Sequence, residues 1–106
     1  MASFFMAVGP WETCSADWCL RESIYAALNV QLIGDGVSPL SVFLDSYCID
    51  GIDQLAAPVP LAFFPGPPTP GGFLMNYRAN QLLTFKIRNA SAHSVRCVFG
   101  LVRATL

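Results

Sequence analysis

Leu83, Phe85 and Ile87 alternate with Thr84, Lys86 and Arg88. After a polar stretch, Val95, Cys97, Phe99 and Leu101 alternate with Arg96, Val98 and Val102. Strict period two sends successive side chains to opposite faces of a strand. A helix would scatter the same apolar residues around its circumference. The alternation recurs upstream, where Ile24, Ala26, Leu28, Val30 and Leu32 share one parity and Tyr25, Ala27, Asn29 and Gln31 the other. A helix from Ser15 through Leu28 competes with that reading. The alternation up to Leu32 and the stop at Gly34-Asp35-Gly36 favour a strand. Pro39 opens a further run from Leu40 to Ile49, in which Val42 and Leu44 alternate with Phe43 and Asp45, and Asp50-Gly51 closes it with a turn signal. Ser3 to Val8 reads as a first strand. Residues 9–21 read as a loop in which Ser15 caps one helical turn, with Asp17 near its positive end.

Residues 58–72 cannot join this pattern. Pro58, Pro60, Pro65, Pro67, Pro68 and Pro70 put six prolines in thirteen positions. Proline lacks the N–H that a helix or a central strand needs. The segment is an extended, polyproline-like loop, and Leu61, Phe63 and Phe64 inside it either pin it to the core or project into a partner. Short strands, Gly/Pro turns and little helix describe an all-β chain, a single antiparallel β-sandwich of jelly-roll type over residues 1–106. The Asn89–Ser94 stretch makes the last two runs a C-terminal hairpin over residues 82–103. Its basic side chains share the non-core parity, which predicts one cationic stripe.

The charges are segregated along the chain. All seven carboxylates (Glu12, Asp17, Glu22, Asp35, Asp45, Asp50, Asp53) lie at or before position 53, and only Arg21 accompanies them. Arg78, Lys86, Arg88, Arg96 and Arg103 all follow position 77, so a net charge of −1 conceals an acidic first half and a basic second half. Charged residues are 12% of the chain, about half the usual share. Together with eight Phe, that suggests a surface covered by neighbours, as in an obligate oligomer. No run of about 18 apolar residues is free of Pro, Gly or polar breaks, so no transmembrane segment is expected. No basic residue precedes Ser3–Val8, so a signal peptide is not expected either.

Four cysteines (Cys14, Cys19, Cys48, Cys97) are an even set, and without a leader they are expected as buried thiols rather than two bridges. Together with His93 they include zinc-ligand types, yet no pair has C-x-x-C spacing, and neither metal nor cofactor is expected. His93 lies in the predicted turn between Ser91 and Ser94, where serines usually serve the backbone rather than a triad. Asp50-Gly51-Ile52-Asp53 lacks the alternating ligands of a calcium loop. No phosphate loop, dinucleotide fingerprint or nucleophile elbow occurs. The chain is therefore read as non-enzymatic. Six basic residues and a pI near 5.6 argue against a nucleic-acid partner. Docking against the acidic half of a neighbour accounts better for the basic stripe.

The segment from Leu82 to Ser91, followed by Val95 to Val102, resembles the last hairpin of small β-sandwich virion proteins of tailed bacteriophages. That group includes capsid decoration (cement) proteins and minor head or tail components. The resemblance implies a virion structural protein, most simply a decoration protein on a capsid lattice. It would act as a homo-oligomer that reinforces contacts between major capsid subunits. The partner surface expected from the residues themselves comprises Phe63, Phe64, Pro65, Pro67, Pro68, Lys86, Arg88, Arg96 and Arg103. A different class, a carbohydrate- or surface-binding module, would use Trp11, Trp18, Tyr25 and Tyr77 as a stacking platform.

Overall fold

A computed structural model of the chain describes residues 3–33, 37–38, 40–63 and 74–103. Its strands are β1 (Ser3–Val8), β2 (Thr13–Cys19), β3 (Ile24–Ile33), β4 (Val42–Ile49), β5 (Ile52–Asp53), β6 (Val59–Pro60), β7 (Leu74–Tyr77), β8 (Leu82–Asn89) and β9 (Val95–Arg103), with a 3-10 turn at Leu61–Phe63. Two antiparallel sheets result, ordered β1-β9-β3-β7 and β2-β8-β4-β5, with β6 also pairing β4. This is the strand order of a jelly roll.

The register shows how the chain makes it. Paired residue numbers in β2·β8, β3·β7 and β4·β5 have one constant sum, from Thr13↔Arg88 through Ile24↔Tyr77 to Ile49↔Ile52, and the β4·β6 pairs are offset from it by two. The chain is one long antiparallel ribbon doubled back at Asp50-Gly51. Both turn residues have positive φ (51° and 84°), the type I′ geometry that matches strand twist. Asp50 then anchors the turn, because its N–H donates to Leu82 O (2.9 Å) and its Oδ1 accepts from Leu82 N (3.0 Å).

The two corners of the ribbon that lie wholly within the described residues are both hydrogen-bonded. At the β2–β3 corner, Leu20 N donates to Gln81 O (2.9 Å) and Asn80 N to Leu20 O (2.8 Å). At the β1–β2 corner the arms are unequal, since four residues (9–12) run opposite six (89–94), which offsets β1·β9 by two residues. Asn89 holds the longer arm. Fully buried, it shares its Nδ2 hydrogens among His93 O (2.7 Å), Gly9 O (3.0 Å) and Val8 O (3.3 Å). Its Oδ1 accepts from Ser91 N (3.1 Å) and Ser91 Oγ (2.7 Å), while its own N–H donates to Glu12 O (2.9 Å).

The expected C-terminal hairpin is therefore corrected. β8 pairs with β2 and β4, whereas β9 pairs with β1 and β3 in the other sheet. Asn89–Ser94 crosses between sheets instead of turning within one. The expected loop over 9–21 is likewise corrected, because Thr13–Cys19 is a strand with alternating exposure and Ser15 caps no helix. The β2 side chains Cys14, Ala16 and Trp18 pack against the core, a weak alternation that the polar residues between them obscure.

The parity anticipated for β3, β8 and β9 is observed. Leu83, Phe85 and Ile87 from one sheet meet Val95, Cys97, Phe99 and Leu101 from the other, all buried. Each such side chain contributes about 1.5–3 kcal/mol by leaving water. Phe85 joins the layers, with its ring 4.6 Å from Phe99 across the sandwich and 5.1 Å from Tyr47, stacked on it. A second cross-layer link is polar, since Tyr47 Oη donates to Tyr77 Oη at 2.7 Å. Leu44 and Tyr47 could not both face inward in a regular strand, being an odd number of residues apart. A β-bulge between Leu44 and Ser46 resolves this, leaving Asp45 unpaired and bringing Tyr47 back to the inner face.

Asn89→Asp keeps the shape of the corner side chain but replaces donors with an acceptor facing three carbonyls. Denaturant titration at neutral pH is expected to show a loss of about 2–4 kcal/mol. An unchanged midpoint would remove Asn89 from its role at the corner.

Candidate docking face

The expected partner residues divide over the molecule. Phe64, Pro65, Pro67 and Pro68 lie outside the described residues, and Phe63 ends the 3-10 turn. Lys86 and Arg88 project from the outer face of the β2-β8-β4-β5 sheet, with their inward neighbours Phe85 and Ile87 fully buried. Arg96 projects from the outer face of the opposite sheet, between Ala7 and Ile33. Arg103 ends β9, seven residues further on and on the other parity, roughly 23 Å away at strand rise. The predicted single cationic stripe is thus split between two faces and one end.

Arg88 is also engaged within its own sheet. Its Nε lies 3.1 Å from both Asp45 carboxylate oxygens, and its guanidinium lies 4.4 Å from the Phe43 ring centroid. As the unpaired residue of the bulge, Asp45 stands beside Arg88 on the outer face. The polar face continues with exposed Ser15 and Asp17 on β2 and exposed Lys86 on β8.

The outer face of β1-β9-β3-β7 differs in kind. Register aligns Phe5 with Val98 and Gln31, and Ala7 with Arg96 and Ile33. Gly100 lies opposite Asn29, and Val102 opposite Ala27. Among the described residues Arg96 is the one charge on this face. Phe5 is 68% and Ile33 47% exposed, although neither contributes to the core. A sequence reading led by charge overlooks Phe5 and Ile33. The signal that could have found them is their place opposite the core parity, in strands that carry almost no charge.

The catalytic and metal candidates do not converge. His93 is exposed in the crossover, where its N–H donates to Ser91 Oγ (3.3 Å) and its carbonyl accepts from Ser91 Oγ (3.1 Å). Asp45 pairs with Arg88, Asp50 holds Leu82, and Asp53 Oδ1 accepts from Leu55 N (3.0 Å) and Tyr47 N (3.3 Å). No cluster of three His, Cys, Asp or Glu occurs among the described residues. The four proposed stacking rings do not share a platform either. Tyr77 is buried, and Trp11 and Trp18 lie at opposite ends of β2. No helix among the described residues is long and apolar enough to cross a membrane.

All four cysteines are free thiols. Cys14 and Cys19 sit five residues apart on one strand, with Cys14 packed inward and Cys19 exposed. Their separation of roughly 17 Å at strand rise exceeds disulfide reach. Burial pushes the Cys97 thiol up to about 11. A thiol reagent is expected to label Cys19 first and Cys97 only on unfolding, as peptide mapping of a labelling time course would show.

Burial also raises the phenol of Tyr77 to about 12, and that of Tyr47 further, with the Tyr77 contact adding to the shift. These groups fold neutral, so their ionised forms favour the unfolded chain. Their stabilisation is complete below the ordinary values of 9.0 for Cys97 and 10.0 for the tyrosines, and is lost as pH rises through 11 and 12. Stability measured by equilibrium unfolding is expected to fall progressively above pH 9, and Tyr77→Phe should shallow that slope.

No protein-family model matches the chain, and neither a curated protein nor a solved structure matches it.

Proposed function

We propose that this chain is a non-enzymatic structural part of an assembly, docked on a larger protein lattice through the outer face of β1-β9-β3-β7. The observation that carries this reading is the contrast between the two outer faces. One displays Lys86, Asp17 and the Arg88–Asp45 pair beside exposed Leu82, and the other presents Phe5, Val98 and Ile33, with neutral Gln31 and Asn29, around a single charge, Arg96. A solvated sheet face is ordinarily polar, and a contiguous exposed apolar patch marks an interaction surface. A jelly roll suits such a part because closing two sheets over one core leaves the outer faces available. The fold alone assigns no role.

The particular form implied by the closing-segment resemblance is a capsid decoration protein of a tailed-phage virion, reinforcing contacts between major capsid subunits. Arg96 would then give the docked face its orientation, since a lone charge in an apolar patch tolerates few registers.

Phe5→Asp changes an exposed side chain and should leave stability within about 0.5 kcal/mol. Co-sedimentation with undecorated tailed-phage shells is expected for the wild-type protein, reduced at least tenfold in Phe5→Asp and kept in Lys86→Glu. Equal binding by Phe5→Asp, no binding by any form, or saturable sugar binding by the monomer would each overturn this function.

A further inference from the structure

Trp11 occupies a position that suits neither its backbone nor its ring. Glu12 N donates to Gly9 O at 3.2 Å, closing a turn with Pro10 and Trp11 at its centre. Proline first and a positive φ second are the signature of a type II turn, whose second position favours glycine. Trp11 adopts φ 60° there. A bulky side chain in the left-handed region is a true outlier, and such outliers concentrate where function requires them. The ring adds nothing to the core, being 70% exposed. Its backbone is nevertheless held firmly, with Trp11 N donating to Ser91 O at 3.2 Å beside the Asn89 corner. The fold thus presents an indole to solvent from an anchored backbone, and tryptophan is among the residue types most enriched at binding hot spots.

The far end of β2 holds a pocket of about 320 Å³, lined by Trp18, Cys19, Leu20, Arg21, Glu22, Ile24 and Leu101. Its floor is apolar, since Leu20 and Leu101 are buried. Its rim carries exposed Arg21 and Glu22. That volume is at the small end of ligand pockets, about 300 Å³, which suits one ring system rather than a drug-sized molecule. β2 separates knob from pocket by seven residues, roughly 23 Å at strand rise, so one chain cannot satisfy both.

We infer that the knob of one copy fills the pocket of the next, a head-to-tail contact between identical chains. Charge supports a second copy as the occupant. Exposed Glu12 stands next to Trp11 with its carboxylate over Gly9, and exposed His93 belongs to the same corner. The pocket rim offers Arg21, the one cation of the acidic half, to Glu12, and offers the Glu22 carboxylate as a hydrogen-bond acceptor to the His93 ring N–H. A heterologous contact of this kind builds a ring if its rotation closes and a filament if it does not. It uses the ends of the molecule and leaves the apolar sheet face for the lattice. The inference deepens the assembly reading and takes its biological meaning from it.

Sedimentation equilibrium tests the contact. The wild-type protein is expected to gain mass as concentration rises towards millimolar, less so at high salt. Trp11→Gly should remain monomeric while its melting temperature rises by about 2–6 °C, because glycine suits the turn. Arg21→Glu should also remain monomeric. An equimolar mixture of the two restores one intact interface, from the tryptophan of one to the pocket of the other, and should stop at a dimer. Wild-type protein that stays monomeric, Trp11→Gly that associates or melts lower, or a mixture without dimer overturns the inference. Shell binding that depends on Phe5 would survive such a result, so this contact and the lattice docking fail separately.

Discussion

The corner at Asn89 decides the shape of the molecule. Two strongly amphipathic strands flank it, and alone they would pair as a hairpin on one sheet. The crossover carries six residues against four in the arm it faces, too many for a continuous ribbon, and Asn89 is the one of the six that is buried. One buried amide accommodates the excess by satisfying three carbonyls and an adjacent serine. A buried polar group is tolerated only when its hydrogen bonds are complete. Here that requirement ties β8 to one sheet and β9 to the other. Phe85 then meets Phe99 across the sandwich rather than beside it.

From that separation the unequal outer faces follow. β8 carries Lys86 and Arg88 to a sheet whose other strands supply Asp17 and Asp45, so charge meets countercharge within one layer. β9 joins β1 and β3, whose outward residues are Phe5, Ala7, Asn29, Gln31 and Ile33. Part of the charge segregation along the chain is thereby answered inside the chain, by Arg88 over Phe43 and against Asp45. What remains unanswered is apolar surface. The assembly reading accordingly rests on the missing charge of one face rather than on a basic stripe.

Much of the fold is legible in the alternation of the chain. Parity is a local property, and the core residues of β3, β8 and β9 can be read from it alone. β2 escapes that reading because Thr13, Ser15 and Asp17 look like a capped turn, while the inward Cys14, Ala16 and Trp18 are small or isolated. The bulge at Asp45 is invisible to it because the parity shifts without any Gly or Pro to mark the place. Asn89 does leave a trace, since it continues the buried parity of Leu83, Phe85 and Ile87. A polar residue in a core position implies an internal network.

The sequence by itself determined that this chain is all-β, where several strands run, and which side of most of them is apolar. Those properties depend on neighbours one or two residues away. Only the tertiary structure decided which strands share a sheet, where each basic residue projects, and that a strained tryptophan and an apolar pocket stand at opposite ends of β2. Strand pairing is settled by contacts between residues far apart in sequence. Two runs with identical alternation can therefore end in one sheet or in two, and a corner geometry that no period records makes the choice.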